Sequence, residues 1–209
     1  MEWRWIPILV LALHAGVCAG SDDATNRPAA WAQPVTLGGV PNLHRVAAGL
    51  YRSAQPTAEG MRRLQALGIR TVVDLRSFHS DRAVIGGAGL AYECIPTKAW
   101  HPEREAAVRF LQIVTDPARG PFLVHCQHGA DRTGALCALY RMAVQGWTRE
   151  EALREMVYGG FGFHEVWENL LAWAAAMDIV ALRRDAGITN AVDRAAELTG
   201  AAAGKEDAP

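Results

Sequence analysis

The segment Pro121 to Gly134 reads PFLVHCQHGADRTG: an apolar run ending at Cys126, a loop containing Gly129, then Arg132-Thr133-Gly134 leading into a stretch rich in Ala, Leu and Met. A strand, a tight loop and a helix start in immediate succession point to a sheet with helices packed on it. They also make an anion-binding arrangement, because the unpaired N–H groups of a helix's first turn and the positive end of its dipole converge at the loop. Cys126 lies at that point, where a thiolate is stabilised and is a usable nucleophile. Arg132 can offer two parallel donors to a phosphoryl group. Thr133 can donate to the sulfur as it departs, and Gly129 permits a backbone path that a side chain would obstruct.

The pattern is specific. A Cys with Arg six positions on arises by chance in about one arginine-rich chain of this size in three; adding His before the Cys, Gly three after it and Ser or Thr after the Arg lowers that to the order of one in ten thousand. Along the rest of the chain, strands are expected at Asn42 to Val46, Gly49 to Tyr51, Ile69 to Leu75, Ala91 to Ile95 and Pro121 to His125. Helices are expected at Thr57 to Leu67, with a Thr cap and a Gly68 stop, at Pro102 to Val114, at Thr133 to Gln145, from Thr148 onward, and at Val166 to Leu182. Arg76 to Gly89 reads as a loop. The alternation predicts an α/β fold with a central four- to five-stranded, mostly parallel sheet flanked by helices, and ligands at the carboxyl ends of its strands.

At the amino terminus, Arg4 precedes an apolar run from Ile6 to Ala15, then Gly16-Val17-Cys18-Ala19-Gly20, with Val17 and Ala19 at the spacing a signal peptidase reads. The run is too short to span a bilayer comfortably. Residues 1–19 are therefore expected to be a removed signal peptide, and the mature protein to be periplasmic or secreted without stable membrane insertion. A formal net charge of -1 lacks the basic excess of a general nucleic-acid binder, so no nucleic-acid partner is expected. Lys98 and Lys205 are the sole lysines, so anion sites are expected to use guanidinium groups. Cleavage near Ala19 leaves Cys94, Cys126 and Cys137, an odd set that cannot close as disulfides. A thiol left free in an oxidising compartment is best understood if it has chemistry to perform, or shares a reversible bond with Cys94 or Cys137.

His125 to Gly134 resembles the signature loop of the protein tyrosine phosphatase superfamily. With LYRSAQP at Leu50 to Pro56, GIRTVVDLR at Gly68 to Arg76 and TREEALREM after the loop, the chain is similar to the compact dual-specificity-like branch over about residues 40 to 180. The resemblance implies hydrolysis of phosphate monoesters through a phosphocysteine, without metal or other cofactor. It makes Cys126 the nucleophile, Arg132 the phosphate clamp, Thr133 the leaving-group helper and His125 the residue that orders the loop. The loop residues Gln127, His128, Gly129 and Ala130 are candidate substrate contacts, His128 either presenting its imidazole to the substrate or folding back on the loop backbone. The partner is then a phosphorylated protein or small phosphorylated molecule. The domain is expected at 35–182, after a linker at 20–34 and before a flexible or helical tail at 183–209.

The superfamily's usual aspartate acid is missing from the stretch after Ala91-Ile95, which reads PTKAWHPERE. Asp131 resembles the aspartate that serves as acid in lipid phosphatase branches, and Glu103 is a possible substitute, unless it simply charges a helix's first turn. A leaving group that needs little protonation is the remaining option. Without an acid the chain could be a weak or inactive phospho-ligand binding module, and a rhodanese-like sulfur-transfer enzyme is disfavoured by the five-residue spacer and Arg-Thr ending. Arg76 and Arg52 could add phosphate contacts or form structural pairs, Arg76 with Asp74 or Asp81. His125, Cys126 and His128 are too close along a tight loop to converge on zinc. GGFGFH at Gly159 to His164 reads as a turn packing aromatics inward, with His164 a candidate visitor to the pocket.

Overall fold

The computed structural model describes residues 27–188, so the expected signal peptide lies outside the described residues, as does most of the expected tail. Six strands form one sheet, β1 (Gln33–Pro34), β2 (His44–Ala47), β3 (Leu50–Ser53), β4 (Thr71–Asp74), β5 (Ala91–Cys94) and β6 (Phe122–His125), in the order β1-β2-β3-β6-β4-β5. The four strands β3, β6, β4 and β5 are parallel, while β1 and β2 add antiparallel pairs at one edge. The mostly parallel α/β sheet is thus as expected, with one strand more. β1 spans two residues inside the stretch read as linker, too short to leave a periodic signal.

The pleat explains why the central strands are continuously apolar. β4 and β6 are buried at every position. Val73, Phe122 and Val124 enter one core, against α3 (Arg104–Val114), α4 (Asp131–Ala143), α5 (Arg149–Tyr158), α6 (Glu168–Ala176) and α7 (Ile179–Ala186). Val72 and Leu123 point the other way, into a second core beneath α1 (Ala58–Ala66) and α2 (Arg82–Ile85). Successive side chains take opposite faces, and helices cover both.

Local signals set several helix ends. Thr57 Oγ1 accepts from Gly60 N at 3.0 Å, and Thr148 with Glu151 forms a full capping box at α5. The stretch expected as one helix from Val166 to Leu182 is instead a single 3-10 turn (Glu165–Trp167), α6 and α7. It breaks at Met177 and Asp178, both extended, where Asp178 Oδ1 caps α7 by accepting from Ala181 N at 3.0 Å. The expected 76–89 loop contains α2, four residues that bury Ile85. Packing also extends either side of 35–182: Ala32 is buried and donates its N–H to Glu155, and Ala186 is buried against the main core. No helix among the described residues is long and apolar enough to cross a membrane.

Candidate active site

Strand β6 delivers Cys126 to the carboxyl edge of the sheet, and α4 begins at Asp131, two residues before the expected Thr133, so Asp131 and Arg132 lie in its first turn. Cys126 is 1 % exposed at the bottom of the loop between them. No side chain caps α4 at its amino end. The helix is held by packing instead: Leu136 and Leu139 are fully buried, each contributing about 2 kcal/mol of apolar burial.

The loop's backbone is divided by polarity. Cys126 O lies 3.2 Å from His125 Nδ1, Gln127 O accepts from Gln55 N at 3.1 Å, and His128 O accepts from Asn42 Nδ2 at 3.0 Å. Gly129 O and Ala130 O accept from Arg52 Nη2 at 2.7 and 3.3 Å, and Ala130 O also takes Gly134 N. Each carbonyl from Gln127 to Ala130 therefore accepts a hydrogen bond, and Cys126 O lies against the His125 ring. The N–H groups of Gln127, His128, Gly129 and Ala130 bond no acceptor among the described residues. A run of tied-back carbonyls with free amides is a nest for an anion. Gly129 makes the path possible: its φ is +70°, and a Cβ there would sit 2.4 Å from Ser53 backbone atoms.

Arg52 was expected as a phosphate contact or a structural pair. It is 1 % exposed, its guanidinium is 3.6 Å from the centroid of Phe161, and it clamps the loop from behind. Edge-on to the same ring is His44, whose burial pulls it down to about 4. Beneath the loop, His125 is fully buried, and its Nε2 lies 2.7 Å from Asp81 Oδ2, the sole polar contact of either atom among the described residues. Burial pushes the Asp81 carboxyl up, but His125, Gln55 and His79 more than offset that and leave it below its ordinary value. Arg76 is joined to this shell. Its Nη1 donates to Gln55 Oε1 at 2.9 Å and its backbone N to Asp74 Oδ1 at 2.8 Å, so its guanidinium pairs with neither Asp74 nor Asp81.

Two side chains at the exit of the loop remain available. Arg132 Nη1 is 3.5 Å from Thr97 O, at the outer limit of a hydrogen bond. Thr133 Oγ1 is buried without a hydrogen-bond partner among the described residues. Gln127 and His128 are exposed at the mouth. Cys137 faces the core and burial pushes its thiol up to about 11, and burial also raises Cys94. Cys94 pairs with Asp74, which pairs with His125, so two strand spacings, roughly 10 Å, separate Cys94 from the residue before Cys126; all three thiols are free.

Asp131, expected as the acid, is paired with His164. Its Oδ1 accepts from His164 N at 2.8 Å, and its two oxygens lie 3.1 and 2.9 Å from His164 Nδ1. With a proton on that ring nitrogen, the carboxylate accepts on both oxygens. Glu103 is the exposed residue preceding α3 and makes no capping bond. Two groups bring metal-ligating atoms within 4.8 Å of one another, His128, Asp131 and His164 at the mouth and the buried Asp74, Asp81 and His125. Neither is the His125, Cys126 and His128 set weighed for zinc. An open groove lined by Arg70, Thr71, Gly89 and Arg119 sits at the other end of β4 and holds none of the loop residues.

Comparison with known proteins gives the family. Residues 40–167 match a family model described as a DSP-PTPase phosphatase fused to NAD+ kinase. The chain is 36% identical over 185 residues to the dual specificity protein phosphatase TpbA of Pseudomonas aeruginosa, covering 86% of this chain and 84% of that protein. A crystal structure of P. aeruginosa TpbA in complex with pTyr superposes with a TM-score of 0.70 at 36% identity, over 78% of this chain and 99% of the other. The catalytic core of the S. cerevisiae PP-IP phosphatase SIW14 shares the fold, with a TM-score of 0.63 at 20% identity over 73% of this chain and 94% of that one.

Proposed function

The chain belongs to the DSP-PTPase family of phosphatases, and from that premise we propose that it hydrolyses phosphate monoesters with Cys126 as nucleophile, through a phosphocysteine intermediate. The observation that carries this reading is the loop around Cys126, with four successive carbonyls from Gln127 to Ala130 tied back by hydrogen bonds and the four amides of the same residues left free among the described residues. An anion placed over the thiol meets those amides, and Arg132 closes on its remaining oxygens. The sulfur then attacks phosphorus in line with the departing ester oxygen. Thr133 donates its unpaired hydroxyl to the thiolate when water later displaces it. His125, Asp81, Gln55 and Arg52 touch no substrate in this scheme; they hold the loop's shape.

TpbA has been crystallised with pTyr, which supports phosphotyrosine as a substrate class here, alongside small phosphorylated molecules. The leader pattern at residues 1–19 supports export, and amino-terminal sequencing of protein recovered from periplasm or medium should begin near Gly20; a retained Met1 would refute it. Hydrolysis of para-nitrophenyl phosphate in reducing buffer with chelator tests the main reading. Wild type should turn over, and Cys126→Ser should bind phosphate yet lose turnover by a factor of 10⁴ or more, roughly the loss on removing a covalent nucleophile. Wild-type binding without turnover would make the chain a phospho-ligand module.

A further inference from the structure

The missing acid has a replacement on the turn after α5. We propose that His164, held by Asp131, delivers the proton to the leaving group, which rests on the phosphatase reading above and deepens it. His164 lies beyond the Gly159–Gly162 turn, its backbone N and ring Nδ1 both fastened to the Asp131 carboxylate. Asp131 is 5 % exposed, whereas the His164 side chain is 47 % exposed. A carboxylate on Nδ1 fixes the ring's rotation and its tautomer, leaving Nε2 on the opposite side of the imidazole. Nε2 makes no hydrogen bond among the described residues. The ring also stacks at a tilt against His128 of the phosphate loop, with centroids 5.3 Å apart. It therefore lies beside His128 at the exposed mouth of the loop, where an ester oxygen leaving opposite the buried Cys126 would emerge.

Other candidates lack one half of this arrangement. Lys98 and His101 sit in an exposed turn, and no hydrogen bond among the described residues orients the His101 ring. His79 is oriented by a carboxylate, but that carboxylate is Asp81, on the buried side of the loop with His125. Glu103 and Glu105 belong to the start of α3 and are exposed.

The proton balance is complete. In the first step the Cys126 thiolate forms a bond to phosphorus, the phosphorus–ester oxygen bond breaks, and that oxygen takes the proton from Nε2. In the second, water bonds to phosphorus as the sulfur leaves as thiolate, and neutral Nε2 takes the water's proton. The Nδ1 proton stays on its bond to Asp131 throughout. Asp131 is a positioning residue here, while His164 touches the reacting oxygen.

The test compares kcat/KM, which reports the step in which the ester oxygen leaves, for phenyl phosphate and para-nitrophenyl phosphate in the full chain with chelator present. Nitrophenolate departs without needing a proton, and phenolate does not. His164→Gln should lower kcat/KM for phenyl phosphate on the order of 10²-fold and for the nitrophenyl ester by less than about tenfold. Asp131→Asn should bias the two esters in the same direction, a change in leaving-group dependence that mere loss of packing would not produce. If His164→Gln unfolds, His164→Asn is read the same way, with melting temperature as the control. Equal losses on the two esters, or no loss on either, overturn the assignment while leaving the phosphatase reading intact. A wild type inert toward both esters would instead overturn the phosphatase reading itself.

Discussion

Thr133 buries a hydroxyl that bonds nothing among the described residues, and an unpaired buried hydroxyl costs a fold about 1–3 kcal/mol. If that hydroxyl exists for the departing sulfur, Thr133→Val should leave the melting temperature unchanged or raise it. It should also slow turnover by on the order of 10- to 100-fold, as expected for removing one donor aimed at developing charge. A parallel loss of stability, seen by calorimetry alongside steady-state rates, would mean the hydroxyl serves the fold instead. Cys126, Arg132, Thr133 and Gly129 could be found from sequence because their spacing along one loop is itself the signal. Their supports could not. Arg52 and Asn42 reach the loop across 77 and 86 residues of sequence, and His164 meets Asp131 across 33. Asp131 was therefore visible as a charge beside Arg132 while its pairing with His164 was not.

Among the elements, β6 and α4 were legible because a buried strand, a positive-φ glycine and a helix start each carry a local mark. Two boundaries moved for physical reasons that a window of hydropathy does not register. Helix α4 starts at Asp131 because packing of Leu136 and Leu139, rather than a capping side chain, fixes it. The last helix breaks because Asp178 caps a new one inside an otherwise helix-favouring run. Strand β3 matters to the site through Arg52, which joins it to the loop. Arg52→Lys keeps the charge but loses the planar fork and much of the contact with Phe161. Denaturant unfolding should show a loss of about 2–3 kcal/mol, and inorganic phosphate should inhibit more weakly, because the Gly129 and Ala130 carbonyls are no longer held back. Unaltered phosphate inhibition in a folded Arg52→Lys variant would detach the clamp from anion binding.

At the scale of the molecule, a parallel sheet covered on both faces leaves its carboxyl edge as the place where β4, β6 and the loop before α4 converge. Asp74, Asp81, His125 and Cys126 all gather there, so a chain whose bulk charge names no partner still concentrates its chemistry at one edge. The α/β class and the position of that edge followed from the alternation of elements. The antiparallel margin at β1 and the shell behind the loop required the folded chain. Passage of phosphate through Cys126 is tested by mass spectrometry of wild type acid-quenched during turnover of para-nitrophenyl phosphate. A phosphoryl group on the peptide carrying Cys126, at the cysteine itself, is the predicted result. Turnover that persists in Cys126→Ser, with phosphate on another residue or on none, would contradict it.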